Sequence, residues 1–194
     1  LSWLICKKSI SSYCPSSADS SVKSSKPLVS GNSGVVVSSQ HLATDVGLDI
    51  LKRGGNAIDA SVAVGYALAV TDPCCGNLGG GGFMLIHFAN GKNTFLNFRE
   101  KAPFSSTKDM FLDKKGQVIP DLSTKGYLAV GVPGTVKGLD QALSKYGSMS
   151  REQVMAPAIK LASNGFILPP GDVDILNDGI KKFSNQENVN KIFF

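Results

Sequence analysis

The pattern of apolar positions changes character near residue 34. From Ser9 to Ser33 there are eleven serines and almost no large apolar side chains. Such a segment buries too little surface to offset the entropy of ordering, so residues 1–33 read as a flexible serine-rich leader, with "LSWLIC" a possible remnant of a secretory signal. Beyond it, the consecutive valines of "GVVVSS" (Gly34–Ser39) predict a short buried strand. Ser38 or Ser39 then caps a helix in which Leu42, Ala43, Val46 and Ile50 share one stripe, while Asp49 and Arg53 pair on the outside. Gly54-Gly55 ends that helix. Asn56 and Asp59 have the spacing of a capping pair and open a second helix through Val70. This helix is apolar nearly all round, so it belongs beneath other layers.

After "GNLGGGG" (Gly76–Gly82) comes "FMLIHF" (Phe83–Phe88), apolar on both faces and therefore expected as a central strand. It meets "TFLNFRE" through Ala89-Asn90-Gly91-Lys92, and Asn-Gly between two apolar runs signals a hairpin. Alternation sends Thr94, Leu96 and Phe98 one way and Phe95, Asn97 and Arg99 the other. Farther on, Pro133 starts a helix with Val136, Leu139, Leu143 and Tyr146 on one stripe, closed by Gly147. Ser150 and Gln153 form a capping box for the next, which Pro157 kinks or restarts and Asn164-Gly165 terminates. The predicted class is α/β, with helices packed over a sheet. The last residues, "NVNKIFF", form an apolar run without a turn, as expected of a chain that continues in a longer protein.

Composition narrows the function classes. The chain has 194 residues, 42% hydrophobic and 18% charged, as in an ordinary globular protein. Its net charge of +5 is scattered rather than gathered into a basic stripe with aromatics, which argues against a nucleic-acid partner. No apolar run reaches the roughly 20 residues of a membrane helix. Cys6 and Cys14 lie in the leader, and Cys74 and Cys75 are neighbours; neither a disulfide framework nor a zinc site has that spacing. Nothing cationic beside Cys74-Cys75 would activate a thiol, so inert packing is their expected role. His41 and His87 are far apart and are expected as packed or surface residues.

The glycine-rich stretch raises the question of a phosphate loop. Such a loop places its glycines between a strand and a helix N-terminus, where free N–H groups hold the anion. Here the order is reversed, the Lys-Ser/Thr of a P-loop is missing, and the spacing is not G-x-G-x-x-G. A side-chain-free entry to a strand, needed where another backbone comes close, accounts for the glycines. No G-x-S-x-G is present, and the S-x-x-K strings at Ser20/Lys23 and Ser105/Lys108 are chance products of a serine-rich chain. "NFREKAP" (Asn97–Pro103) is the remaining candidate. Arg99 leaves the sheet at a strand end, and its fork suits a carboxylate bidentately. Read without context, an exposed strand-end arginine is more often a surface salt bridge.

Taken together, "LKRGGNAIDASVAVGYALAVTDPCCGNLGGGGFMLIHF", "NFREKAP", "DMFLD", "GVPGTVKGLDQALSKYG" and "APAIKLASNGF" resemble the N-terminal part of the large subunit of gamma-glutamyltranspeptidases, bacterial type, from about Gly34 to Phe166. The resemblance implies the N-terminal-nucleophile hydrolase architecture, an αββα sandwich of which residues 34–194 supply an incomplete part. It also implies a self-cleaving precursor whose small subunit begins with a nucleophilic threonine. That threonine takes the gamma-glutamyl group of glutathione as an ester and passes it to water or an amine, without metal or organic cofactor. No threonine here sits in the cleavage setting of the family, so the resemblance places no catalytic residue in this chain and makes the chain inactive alone. Arg99 matches the arginine that holds the substrate α-carboxylate, and Glu100 an acidic residue near the α-ammonium. The small subunit is the implied partner, and a periplasmic or secreted location is implied. The alternatives are a relative acting on other acyl amides, such as a cephalosporin acylase or poly-gamma-glutamate depolymerase, and a catalytically dead remnant.

Overall fold

A computed structural model of the chain describes residues 4–6, 33–72, 78–183 and 186–193. Most of the leader, together with Cys14, Cys74 and Cys75, lies outside the described residues. The chain divides into two compact units, Leu1–Gly76 with Ala142–Phe194, and Asn77–Gln141.

In the first unit, β1 (Leu4–Cys6) pairs antiparallel with β2 (Val35–Val37), Ile5 opposite Val36. β1 thus brings three residues of the expected leader into a ladder. Only Val36 of the three valines is buried; Val37 is 53% exposed, so β2 is half-buried rather than buried. Helix α1 (His41–Lys52) follows, and its cap is Gln40 rather than Ser38 or Ser39: Leu42 N donates to Gln40 Oε1 at 2.6 Å. Both serine hydroxyls are engaged elsewhere, Ser38 Oγ with the Gln40 carbonyl and Ser39 Oγ with Asp72 Oδ2, each at 2.8 Å. Ala43, Val46 and Ile50 are buried along the expected stripe, and the Asp49–Arg53 pair forms at 3.4 Å.

Helix α2 (Ala57–Thr71) begins with the anticipated capping box, and twelve of its fifteen residues are buried, as an inner helix requires. Its buried hydroxyls return to the backbone one turn back, Ser61 to Ala57 O at 2.6 Å and Thr71 to Ala67 O at 3.0 Å, so burial leaves neither donor unpaired. α2 packs on α1 and on the helix from Arg151 to Asn164. That last helix starts at the Ser150/Gln153 box and ends at Gly165, whose φ of 72° suits a residue without a Cβ. Pro157 does not restart it; one missing backbone donor is tolerated within a helix capped at both ends. Two further helices, Pro170–Phe183 and Glu187–Phe193, were not anticipated from the apolar pattern.

In the second unit, β3 (Phe83–His87) and β4 (Asn93–Asn97) form the expected hairpin with Leu85 opposite Phe95. Asn90 Oδ1 accepts from Lys92 N at 3.0 Å, and Gly91 takes a φ of 82° in the turn. β3 is not a central strand among the described residues, since β4 is its only partner. Met84 and Ile86 are buried, whereas Phe83 and Leu85 are 53% and 73% exposed: a two-stranded ribbon covers only one of the two apolar faces. Helix α3 (Thr135–Tyr146) starts two residues after Pro133, in the second unit, and its residues from Ala142 on belong to the first. Leu139 and Leu143 are buried as expected, but Val136 is exposed and Ala142 takes the inner position, which rotates the stripe relative to the expected one. Continuing in chain order, Arg151–Asn164 is α4, Pro170–Phe183 is α5 and Glu187–Phe193 is α6.

Candidate functional site

The backbone that carries Arg99 and Glu100 is held from two sides. Phe98 exchanges hydrogen bonds with Gly82, N to O at 3.0 Å and O from N at 3.3 Å, which extends the hairpin past the end of β4. Lys101 exchanges a second pair with Val132 at 3.1 and 2.8 Å. Between these clamps, Arg99 N donates to Asn97 Oδ1 at 3.1 Å. The two flanking stretches are themselves joined, because Gly80 O accepts from Gly134 N at 2.9 Å and Thr135 N at 3.1 Å.

The glycines are what permit this packing. A Cβ on Gly81 would lie 2.6 Å from Phe98 O and 2.8 Å from both Glu100 N and Glu100 Oε2. A Cβ on Gly134 would fall on the Phe98 carbonyl, and one on Gly138 on the Phe98 ring. The "GGGG" and "GVPG" stretches therefore form two jaws around Phe98–Glu100. This is the close backbone approach that the sequence implied, and it makes a rigid mount for two charged side chains.

The Arg99 side chain is 58% exposed, and two neighbours restrain it. Its Nε lies 3.3 Å from Glu100 Oε2, an ion pair without an aligned hydrogen bond, since that oxygen is buried and accepts none among the described residues. Its guanidinium carbon lies over the Phe83 ring, 5.8 Å from the centroid. Phe83 in turn stacks on Phe95, 5.6 Å between centroids at 21°. So the Nε edge faces Glu100, the guanidinium carbon lies over an aromatic ring, and among the described residues the Nη edge makes no ion pair. That edge is the one that binds a carboxylate bidentately. A solvent-exposed ion pair contributes only about 0–1 kcal/mol to stability, so the Arg99–Glu100 pair orients more than it stabilises.

The sequence placed Arg99 and Glu100, and the structure brings them together. It missed Phe83 and Phe95, although the signal was present: with Leu85 opposite Phe95, hairpin register sets Phe83 on the face that Phe95, Asn97 and Arg99 share. The Thr135 hydroxyl is buried at the start of α3 and has no hydrogen-bond partner among the described residues. Of the histidines, His41 is exposed and His87 Nδ1 lies 2.7 Å from Asn93 Oδ1 across the hairpin. Among the described residues no group of three or more His, Cys, Asp or Glu is arranged to hold a metal, and no helix is long and apolar enough to cross a membrane. A groove of about 590 Å³ runs between α1 and α4 and contains neither Arg99 nor Glu100.

One buried carboxylate belongs to the scaffold. Asp59 Oδ2 accepts from Asn56 N at 2.7 Å and Ser148 Oγ at 2.6 Å, and Oδ1 from Ser148 N at 2.8 Å and Met149 N at 3.1 Å. Burial alone would raise its pKa. The hydrogen bonds from Ser148 Oγ and from the Asn56, Ser148 and Met149 amides outweigh burial and hold it below the usual aspartate range. With every lone pair engaged, Asp59 joins the start of α2 to the turn before α4.

The family model for gamma-glutamyltranspeptidase matches residues 43–194. A glutathione hydrolase proenzyme of a Pseudomonas species (strain A14) is 57% identical over 166 residues, 85% of this chain and 29% of the relative. That of Escherichia coli K12 is 52% identical over 167 residues, 86% of this chain and again 29% of the relative. The crystal structure of Helicobacter pylori gamma-glutamyltranspeptidase superposes with a TM-score of 0.83 at 50% identity, covering 87% of this chain and 48% of that one. This chain thus spans less than a third of the length of the curated relatives it matches. Sequence and backbone agree: the chain belongs to the gamma-glutamyltranspeptidase family and has part of the α/β, N-terminal-nucleophile hydrolase fold of that family.

Proposed function

We propose that this chain is the N-terminal part of the large subunit of a gamma-glutamyltransferase and glutathione hydrolase, and that Arg99 anchors the α-carboxylate of the gamma-glutamyl group. The observation that carries the reading is the open Nη edge of Arg99 on a backbone clamped at Phe98 and Lys101. Glu100 buries Oε2 while its side chain stays 32% exposed, and the α-ammonium of the substrate meets it through Oε1. A fork and a carboxylate side by side match the zwitterionic end of a free glutamyl group, which favours glutathione over the substrates of acylase or depolymerase relatives.

Holding that end sets the position of the gamma-carbonyl. A small-subunit threonine, outside this chain, then attacks the carbonyl, with its own α-amine taking the hydroxyl proton and returning it to the leaving amide nitrogen. The resulting ester passes the acyl group to water or to an amine. No metal or organic cofactor enters this scheme, and glutathione and the small subunit are the partners. The location is periplasmic or secreted, as for the bacterial enzymes that the sequence resembles.

Arg99→Lys in the complete enzyme keeps the charge and loses the fork. It should cost about 2–4 kcal/mol in kcat/KM, seen mostly in KM because the contact is present in ground and transition states alike. An unchanged kcat/KM would remove Arg99 as the anchor.

A further inference from the structure

An arginine at an exposed strand end normally samples many rotamers, and ordering it on substrate binding costs entropy. Here two neighbours already restrain it. Glu100 Oε2 lies 3.3 Å from Nε, and the guanidinium carbon lies over the Phe83 ring, 5.8 Å from its centroid. The ring is itself fixed, backed by Phe95 at 5.6 Å and set in register by the five paired positions of the hairpin. We propose that Phe83 is a positioning residue for Arg99: the π face of its ring holds the guanidinium plane so that the Nη edge meets the substrate carboxylate ready-oriented. A cation over a ring face within about 6 Å is attracted by the ring quadrupole. That attraction acts on the charge of the guanidinium and needs no N–H group as a hydrogen-bond donor, so the fork keeps its donors for the ligand. Loss of the ring face therefore weakens binding before and during the reaction alike and leaves the chemical step alone.

The inference rests on the reading of Arg99 as the carboxylate anchor, and its test separates the two. In the complete enzyme, Phe83 is replaced by phenylalanine carrying one and then three ring fluorines, which preserve shape while draining the π face. KM for a gamma-glutamyl anilide should rise stepwise, about threefold to tenfold at the end of the series, with kcat within twofold. Phe83→Leu should raise KM at least as much, and Phe83→Tyr should restore it. In an Arg99→Gln background the fluorine series should be flat. A flat series in the parent enzyme, with Arg99→Gln still raising KM, overturns the role of Phe83 alone. An Arg99→Gln enzyme with unchanged KM overturns the anchor reading and this inference with it.

Discussion

Replacing Asp59 by asparagine tests how the first unit is held together. The carboxylate accepts four hydrogen bonds, two at each oxygen, from groups 3 residues away at Asn56 and about 90 residues away at Ser148 and Met149. Asparagine keeps one acceptor oxygen and turns an NH₂ toward the other pair of donors. Two bonds to a charged acceptor are lost at about 1.5–3 kcal/mol each, so the variant should lose about 3–6 kcal/mol. For a chain of this size, at about 2–4 °C per kcal/mol, that lowers Tm by about 6–24 °C. The readout is thermal and urea unfolding of the purified chain, followed by circular dichroism, from pH 7 down to pH 3. The pH dependence follows from the lowered pKa of Asp59 in the folded state. Its stabilisation is complete above the unfolded-state value of about 3.9 and is lost as pH falls through the lower folded value. The gap between parent and variant should therefore be constant from about pH 5 upward and narrow below about pH 4. A gap under about 1 kcal/mol at pH 7, or one that does not change down to pH 3, would refute the account of Asp59 as a charged clamp.

Gly81→Ala should push its new Cβ onto Phe98 O and the Glu100 amide, cost about 1–3 kcal/mol in stability, and raise KM for a gamma-glutamyl substrate in the complete enzyme. Gly171→Ala, in α5 with nothing within 4 Å, is the control: it should leave KM as it is and hold Tm or raise it slightly, since alanine favours a helix over glycine. The 194-residue chain by itself should release no aniline from a gamma-glutamyl anilide, because the proposed nucleophile is not among its residues; measurable turnover by the pure chain would contradict that assignment.

Local rules account for what was legible. A capping box needs only two residues at fixed spacing, so Asn56/Asp59 and Ser150/Gln153 stood out, as did the Asn-Gly turn. Features decided by distant partners did not. Ser38 and Ser39 are good caps in isolation, but Ser39 is drawn to Asp72, 33 residues on, and the cap passes to Gln40. Phe83–Phe88 has the composition of a strand covered on both faces, while the described residues cover only the face of Met84 and Ile86. Helix α5 was obscured by Pro169-Pro170, Gly171 and Gly179, although Pro170 at the first helical position is compatible with a start. At the site, alternation identified the face on which Arg99 leaves β4. The aromatic shelf required the hairpin register, and the buried Glu100 Oε2 required the jaws contributed by glycines at both ends of the unit.

The central claim is that Arg99 recognises the α-carboxylate of a gamma-glutamyl group. It is tested most directly by comparing kcat/KM of the complete enzyme for a gamma-glutamyl anilide and for the 4-aminobutyryl anilide, in which that carboxylate is replaced by hydrogen and the ammonium is kept, together with the glutaramic anilide, which keeps the carboxylate and lacks only the ammonium. The account predicts a preference for the carboxylate-bearing anilide over the 4-aminobutyryl compound on the order of 100-fold or more, which Arg99→Ala reduces to within a few fold. The same carboxylate preference in the Arg99→Ala enzyme as in the parent would contradict it.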